Sequence, residues 1–307
     1  MIREHVIVGL GTEFPLQGIK TFPEDISTPV PAVVMVHGSG PSDRDERVMK
    51  LTPFKDLADG LAGKGIASIR YDKRTFAHRR KMARLKDLTV KEETIEDAIL
   101  ALELLREDPR IDNDNIYILG HSMGAMLAPR IDAEGGNAKG LIMMAGTPYR
   151  LEEVVLRQLK QSRGSNSALK WVIGLENKII AKQFAGLYQM TDEEAKKKRF
   201  GGTLPLYYFK EMGQKTATDY LLENTKPVLI MQGERDFQVL ADDDFRKFRE
   251  LIGDRENTEF KLYPGLDHVF VEALYDDILK ASKEYSVERH IGEAVTGDIA
   301  EFIMQHR

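Results

Sequence analysis

Cysteine does not occur in the 307 residues. Its absence excludes disulfides, a thiol nucleophile and thiolate metal sites, and it fits an oxidising compartment as well as a reducing one. Long hydrophobic runs are missing too, since no stretch approaches the roughly 20 apolar residues of a membrane span. The first residues, with Arg3 and Glu4, hold no hydrophobic signal core, so the expectation is a cytosolic protein that does not enter a membrane. There is no internal repeat or low-complexity tract. Charge of one sign does not dominate: the formal net charge is -5, which bears on solubility and little else. Apolar residues make up 42% and charged residues 30%, the ordinary balance of a globular chain. The length suits one large α/β domain with an elaboration, or two domains of roughly 150 residues each. A homo-oligomer is compatible with all of this, and the oligomeric state stays open.

Short β-branched runs recur at Ala32 to Val36, Ile66 to Arg70, Asn115 to Leu119, Lys139 to Met144, Pro227 to Gln232 and Thr258 to Tyr263. Helical patterns lie between most of them, which predicts a largely parallel sheet covered on both faces. Thr89 and Glu92 have capping-box spacing ahead of Ile95, Ala98, Ile99, Leu102 and Leu105 at helical period. Ile291, Val295, Ile299, Phe302 and Ile303 form one stripe suited to a C-terminal helix on the sheet. The segments around Val6 and from Phe14 to Phe22 read as two antiparallel edge strands. Between Thr147 and Asn224 the alternation stops and gives way to helical patterns such as Val154, Leu156, Leu159 and Ile179, Ile180, Phe184, Leu187. That stretch reads as an inserted helical cap over residues 148–224, with residues 1–147 and 225–307 as the core.

The run Asn115 to Leu119 leads directly into Gly120-His121-Ser122-Met123-Gly124, and a helical pattern follows. This is G-x-S-x-G between a strand and a helix, the context in which a serine sits on a sharp, strained turn with its hydroxyl presented for attack. Side chains at the flanking glycines would meet neighbouring backbone. The Met123 N–H falls at a helix N-terminus, where it can donate to a developing oxyanion. Pro129 lies inside the following helix, where a kink or early break is expected.

Ser122 needs a base. Of His5, His37, His78, His121, His268, His290 and His306, His268 fits, because it follows the last strand in the turn-rich Tyr263-Pro264-Gly265-Leu266-Asp267-His268. His121 is expected to point away within the elbow, and His5, His78, His290 and His306 to be surface groups. Asp236, in the loop after Pro227 to Gln232, is assigned to orient the base and stabilise its imidazolium. Glu234 and Asp267 read as solvated loop charges. Ser39, in His37-Gly38-Ser39-Gly40 after an early strand, is the expected second oxyanion donor, with small neighbours that allow close approach. The order Ser, Asp, His differs from that of the chymotrypsin and subtilisin types.

Together, His37-Gly38-Ser39-Gly40, Gly120-His121-Ser122-Met123-Gly124, Asp236 and His268 resemble the α/β-hydrolase superfamily over nearly the whole chain. The string His37 to Glu46 and Arg70-Tyr71-Asp72-Lys73-Arg74-Thr75 resemble a bacterial carboxylesterase subgroup that includes esterase D-like enzymes and, more distantly, capped cinnamoyl and feruloyl esterases. The resemblance implies an α/β-hydrolase fold, with a mostly parallel sheet flanked by helices and a cap. It also implies hydrolysis of small carboxylic esters, aryl or hydroxycinnamoyl esters among them, without a metal or organic cofactor. Its nucleophile falls on Ser122, its acid on Asp236, its base on His268 and its oxyanion donors on Ser39 and Met123. A thioesterase or an aminopeptidase-like amidase would use the same triad, and a non-catalytic receptor on this scaffold would have no need of it.

Other signals weigh less. Val6-Ile7-Val8-Gly9-Leu10-Gly11 starts like a dinucleotide fingerprint, but Phe14 takes the third glycine's place and no helix pattern begins there. Seven Lys or Arg and no acid lie between Lys73 and Lys86. They read as a solvated face, with recognition of an anionic substrate group as the alternative, and they lack the sustained basic, aromatic surface of a nucleic-acid binder. Leu204 to Phe209 and Trp171 suit either an acyl pocket or the cap's own core, and packing is the commoner use.

Overall fold

The β-branched runs become neighbouring strands of one sheet. The computed structural model describes residues 1–161, 180–202 and 204–307. Within these, β1 (Ile2–Val8), β2 (Leu16–Phe22), β3 (Val30–Val36), β4 (Ala67–Tyr71), β5 (Ile111–His121), β6 (Gly140–Met144), β7 (Val228–Gly233) and β8 (Thr258–Tyr263) form one sheet in the order β1-β2-β4-β3-β5-β6-β7-β8. From β4 to β8 neighbouring strands run parallel, while β1 and β2 join antiparallel at the edge. β5 is longer than its apolar run predicts. Its first rungs carry Asp112 to Asp114, whose polarity hides a strand that pairs with β3 at Ile111 across an irregular register.

Strand periodicity sends alternate residues to opposite faces, and both faces are covered. Val33 and Met35 of β3 face a layer formed by α1 (Pro53–Ala62) and the C-terminal helix. Val34 and Val36 face the other layer, which includes α2 (Glu96–Arg106) and α3 (Met123–Ile131). Between β6 and β7 the described residues include α4 (Leu151–Gln161), α5 (Asp192–Lys197), α6 (Leu206–Met212) and α7 (Ala217–Glu223), with a short antiparallel pair at Arg199–Phe200 and Leu204–Pro205. Leu206, Tyr208 and Phe209 bury into the same core as α2 and α3. Trp171 and Ile179 lie outside the described residues. After β7 comes α8 (Arg246–Ile252), and after β8 comes α9 (Glu293–Gln305), whose Val295, Ile299, Phe302 and Ile303 dock on α1's side of the sheet.

The early break expected near Pro129 is present: α3 ends at Ile131, two residues on, and loosens into a π-type turn over Asp132–Gly136 with a kink at Gly135. One local expectation needs correction. At the start of α2, Glu92 accepts the Thr89 N–H at 2.9 Å, but Thr89 Oγ1 accepts from Lys91 N–H and not from residue 92. The chain enters α2 through a π-type turn, Lys91–Ile95, and Glu93 of that turn is buried.

Candidate active site

β5 ends at His121 and α3 begins at Met123, so Ser122 alone makes the turn, with φ 53° and ψ -117°. A side chain in this region costs on the order of 1–3 kcal/mol. Surrounding hydrogen bonds hold it there: the Ser122 N–H donates to the Met144 carbonyl at 2.8 Å, and the Ser122 carbonyl accepts from Ala125 and Met126. The flanking glycines are required by close approach. A Cβ on Gly120 would stand 2.2 Å from the Gly124 carbonyl oxygen, and one on Gly124 would stand 2.1 Å from that of Val36.

Asp236 and His268, from the loops after β7 and β8, are in direct contact. His268 Nδ1 donates to Asp236 Oδ2 at 2.7 Å. The same oxygen accepts from Gln232 Nε2 at 3.0 Å, and Oδ1 accepts the N–H groups of Gln238 and Val239 at 2.7 and 2.9 Å. Four donors on one buried carboxylate fix its direction. The imidazole is thereby left with Nε2 for other chemistry.

His121 is not turned away from the site. It is buried, its Nε2 donates to the His268 carbonyl at 2.9 Å, and its Nδ1 lies 3.0 Å from Glu46 Oε2. The elbow and the histidine loop are thus tied through the residue before Ser122. Burial alone would lower the His121 imidazole, but the charge and hydrogen bond of Glu46, together with the bond to the His268 carbonyl and the Asp236 charge, outweigh it and raise it to about 8. Glu46 is correspondingly held below the usual carboxylate range despite its burial. His37, by contrast, is pushed down to about 4 by burial, and its Nε2 contacts the Asp43 carbonyl at 3.0 Å.

Asp267 also departs from expectation. It is fully buried, accepts the N–H groups of Val269 and Val271, and is pushed up to about 7 by desolvation. It braces the turn that carries His268. Hydropathy could not reveal this, since an acidic loop residue reads as solvated until its backbone partners are known.

The basic run divides. Arg80, Lys81, Arg84 and Lys86 are exposed, but Lys73 and Arg74 are buried. Arg74 pairs with Asp97 and Glu96, while Lys73 Nζ donates to the Gly38 carbonyl at 2.8 Å and lies 3.3 Å from Glu93. Arg79 lines the main cavity.

That cavity, about 580 Å³, has Ser39, Ser122 and Met123 on its wall. Gly38 passes close above the nucleophile position, since a Cβ there would be 3.2 Å from Ser122 Cβ. Met123 is the first residue of α3, so its N–H has no acceptor within the helix. Apolar side chains from the layer of α2 and α3 and from the segment between β6 and β7 complete the lining, including Met82, Leu88, Met126, Val154, Leu204 and Phe209. The strip from Leu204 to Phe209 therefore serves both packing and cavity. Tyr208 also borders the cavity, and its hydroxyl donates to the Glu93 carboxylate.

The model of a family described as serine aminopeptidase, S33, matches residues 28–272. The chain belongs to that family. It is 36% identical over 292 residues to esterase EstD of Thermotoga maritima, covering 94% of this chain and 66% of that relative, so it spans about two thirds of the relative's length. Among solved structures, Est1E from Butyrivibrio proteoclasticus superposes with TM-score 0.59 at 17% identity over 98% of both chains. The Pyrococcus furiosus esterase Pf2001 gives 0.58 at 14% identity, over 99% of this chain and 91% of that one. The α/β-hydrolase GrgF from Penicillium sp. sh18 gives 0.59 at 15% identity, over 100% of this chain and 99% of that one. At such identities these likenesses speak to architecture, and the architecture is the α/β-hydrolase fold.

Proposed function

We propose that this member of the S33 family is a serine carboxylesterase acting on small carboxylic esters through Ser122, His268 and Asp236. The observation that carries the reading is the buried Asp236–His268 pair, linked through His121 to a strained serine on the wall of an apolar cavity. The Ser122 hydroxyl attacks the ester carbonyl as its proton passes to His268 Nε2, and Asp236 stabilises the imidazolium. The Ser39 and Met123 N–H groups receive the oxyanion. Collapse of the tetrahedral species returns the proton to the leaving alcohol, and water repeats the sequence on the acyl-enzyme. Residues 148–224 are the cap in this reading, and among the described residues Val154, Leu204 and Phe209 of that segment line the cavity. The names of the relatives support ester hydrolysis, and Est1E has been solved with ferulic acid bound, which favours aryl acyl groups as substrates here.

The family's description favours a second reading, an aminopeptidase. Such an enzyme needs an uncommitted carboxylate for the substrate ammonium. Among the described residues, the carboxylate lining the cavity is Glu93, already engaged by Lys73, Tyr208 and Thr75. The test is kcat/KM on matched p-nitrophenyl esters, acyl-CoA thioesters and aminoacyl amides, with Ser122→Ala as control. The ester should be preferred and its turnover lost in the variant. A strong preference for the amide would defeat the assignment.

A further inference from the structure

An N–H at Ser39 can receive an oxyanion only if the Gly38–Ser39 peptide faces the cavity, and glycine leaves that peptide free to rotate unless something holds it. Both peptide planes around Gly38 are held. The Gly38 N–H donates to Glu46 Oε1 at 2.7 Å, and the Gly38 carbonyl accepts from Lys73 Nζ at 2.8 Å. The Gly38 carbonyl and the Ser39 N–H belong to one planar trans unit and point in opposite directions. A side chain that grips the carbonyl from behind therefore aims the N–H forward. An ammonium there also polarises the amide toward stronger donation, and with Lys73 only 2% exposed little water screens it.

The grip extends to the inserted segment. Glu93 Oε1 lies 3.3 Å from Lys73 Nζ, and the other Glu93 oxygen accepts the hydroxyl of Tyr208 on α6. Tyr208, Glu93, Lys73 and Gly38 thus form an unbroken polar chain from α6 to the loop over Ser122. We propose that Lys73 is a positioning residue that orients the Ser39 oxyanion donor, and that Tyr208, through Glu93, makes the seating of the inserted segment part of that device. The proposal rests on the reading of Ser39 as an oxyanion donor.

Lys73→Met alone would strand the Glu93 carboxylate in the interior, so the test uses Lys73→Met/Glu93→Gln, with Tyr208→Phe as a milder variant that strands no charge. Each is compared with the native protein for kcat and KM on p-nitrophenyl acetate, for the Kd of an alkylboronic acid, whose tetrahedral adduct places an oxygen at the oxyanion position, and for thermal midpoint. The double variant should lose about 10- to 100-fold in kcat with KM within about threefold, since the donor is misdirected and not removed. Its boronate Kd should rise in proportion to the loss of kcat/KM, as expected when only transition-state binding is affected. Tyr208→Phe should show the same proportionality at about 3- to 10-fold. A merely structural lysine would lower the thermal midpoint without this parallel. A folded double variant with native kcat and boronate affinity overturns the proposal, and so does Tyr208→Phe with both unchanged. Fluorophosphonate labelling of Ser122 separates the two failures. An unlabelled native protein contradicts the hydrolase reading, whereas labelled native and variant proteins with equal kcat contradict the positioning role alone.

Discussion

Ser122 stays at φ 53° because backbone hydrogen bonds on both sides hold it there, so changing its side chain should remove chemistry and leave the fold. Ser122→Ala is expected to lower kcat by about 10⁵-fold or more with little change in thermal midpoint. Asp236→Asn keeps a hydrogen-bonding group but disturbs the tautomer of His268, and should cost about 10⁴-fold in kcat. His121 gives a pH signature. Its folded value, raised to about 8 chiefly by Glu46, lies above the ordinary 6.5, so its contribution to stability is complete below about pH 6.5 and is lost as pH rises through 8. Urea midpoints should therefore fall between pH 6.5 and 9 in the native protein, and the fall should be smaller in Glu46→Gln. Equal falls in both would show that the pair does not behave this way. The residues given active-site roles here were legible because motif and chain order mark them. His121, Asp267 and Lys73 were not, because their roles depend on burial and on partners that are distant in sequence or on the backbone.

At the scale of the element, the strand-turn-helix unit of β5 and α3 was readable from five residues, since Gly120 and Gly124 report the crowding that the turn imposes. Gly124→Ala should destabilise the protein by about 2–4 kcal/mol or prevent folding, because the added methyl meets the rigid backbone of β3. A native urea midpoint would contradict this. The ends of elements were harder to read. Asp112 to Asp114 conceal the first rungs of β5, and the Thr89–Glu92 spacing marks a helix start without disclosing the π-type turn that carries Glu93 inward. Hydrophobic periodicity reports which face is buried, and it is insensitive to a one-residue change in hydrogen-bond register.

At the scale of the whole molecule, the parallel sheet delivers four loops, after β3, β5, β7 and β8, to the proposed site, and the segment between β6 and β7 supplies much of the cavity wall. Alternating strands and helices made that architecture readable. The shape of the cavity was not readable, since an apolar residue looks the same whether it packs or lines a space. Val154 of α4 borders the cavity, and Val154→Trp should reduce hydrolysis of octanoyl esters at least about tenfold relative to acetyl esters. An unchanged ratio would place the acyl chain elsewhere. The proposed reaction stands on a covalent acyl intermediate at Ser122, which rapid acid quenching of a p-nitrophenyl ester reaction followed by peptide mass mapping would trap. An acyl group is expected on the peptide that carries Ser122, and none in Ser122→Ala. Ester turnover with that peptide unmodified, or with the acyl group on another residue, would contradict that reaction.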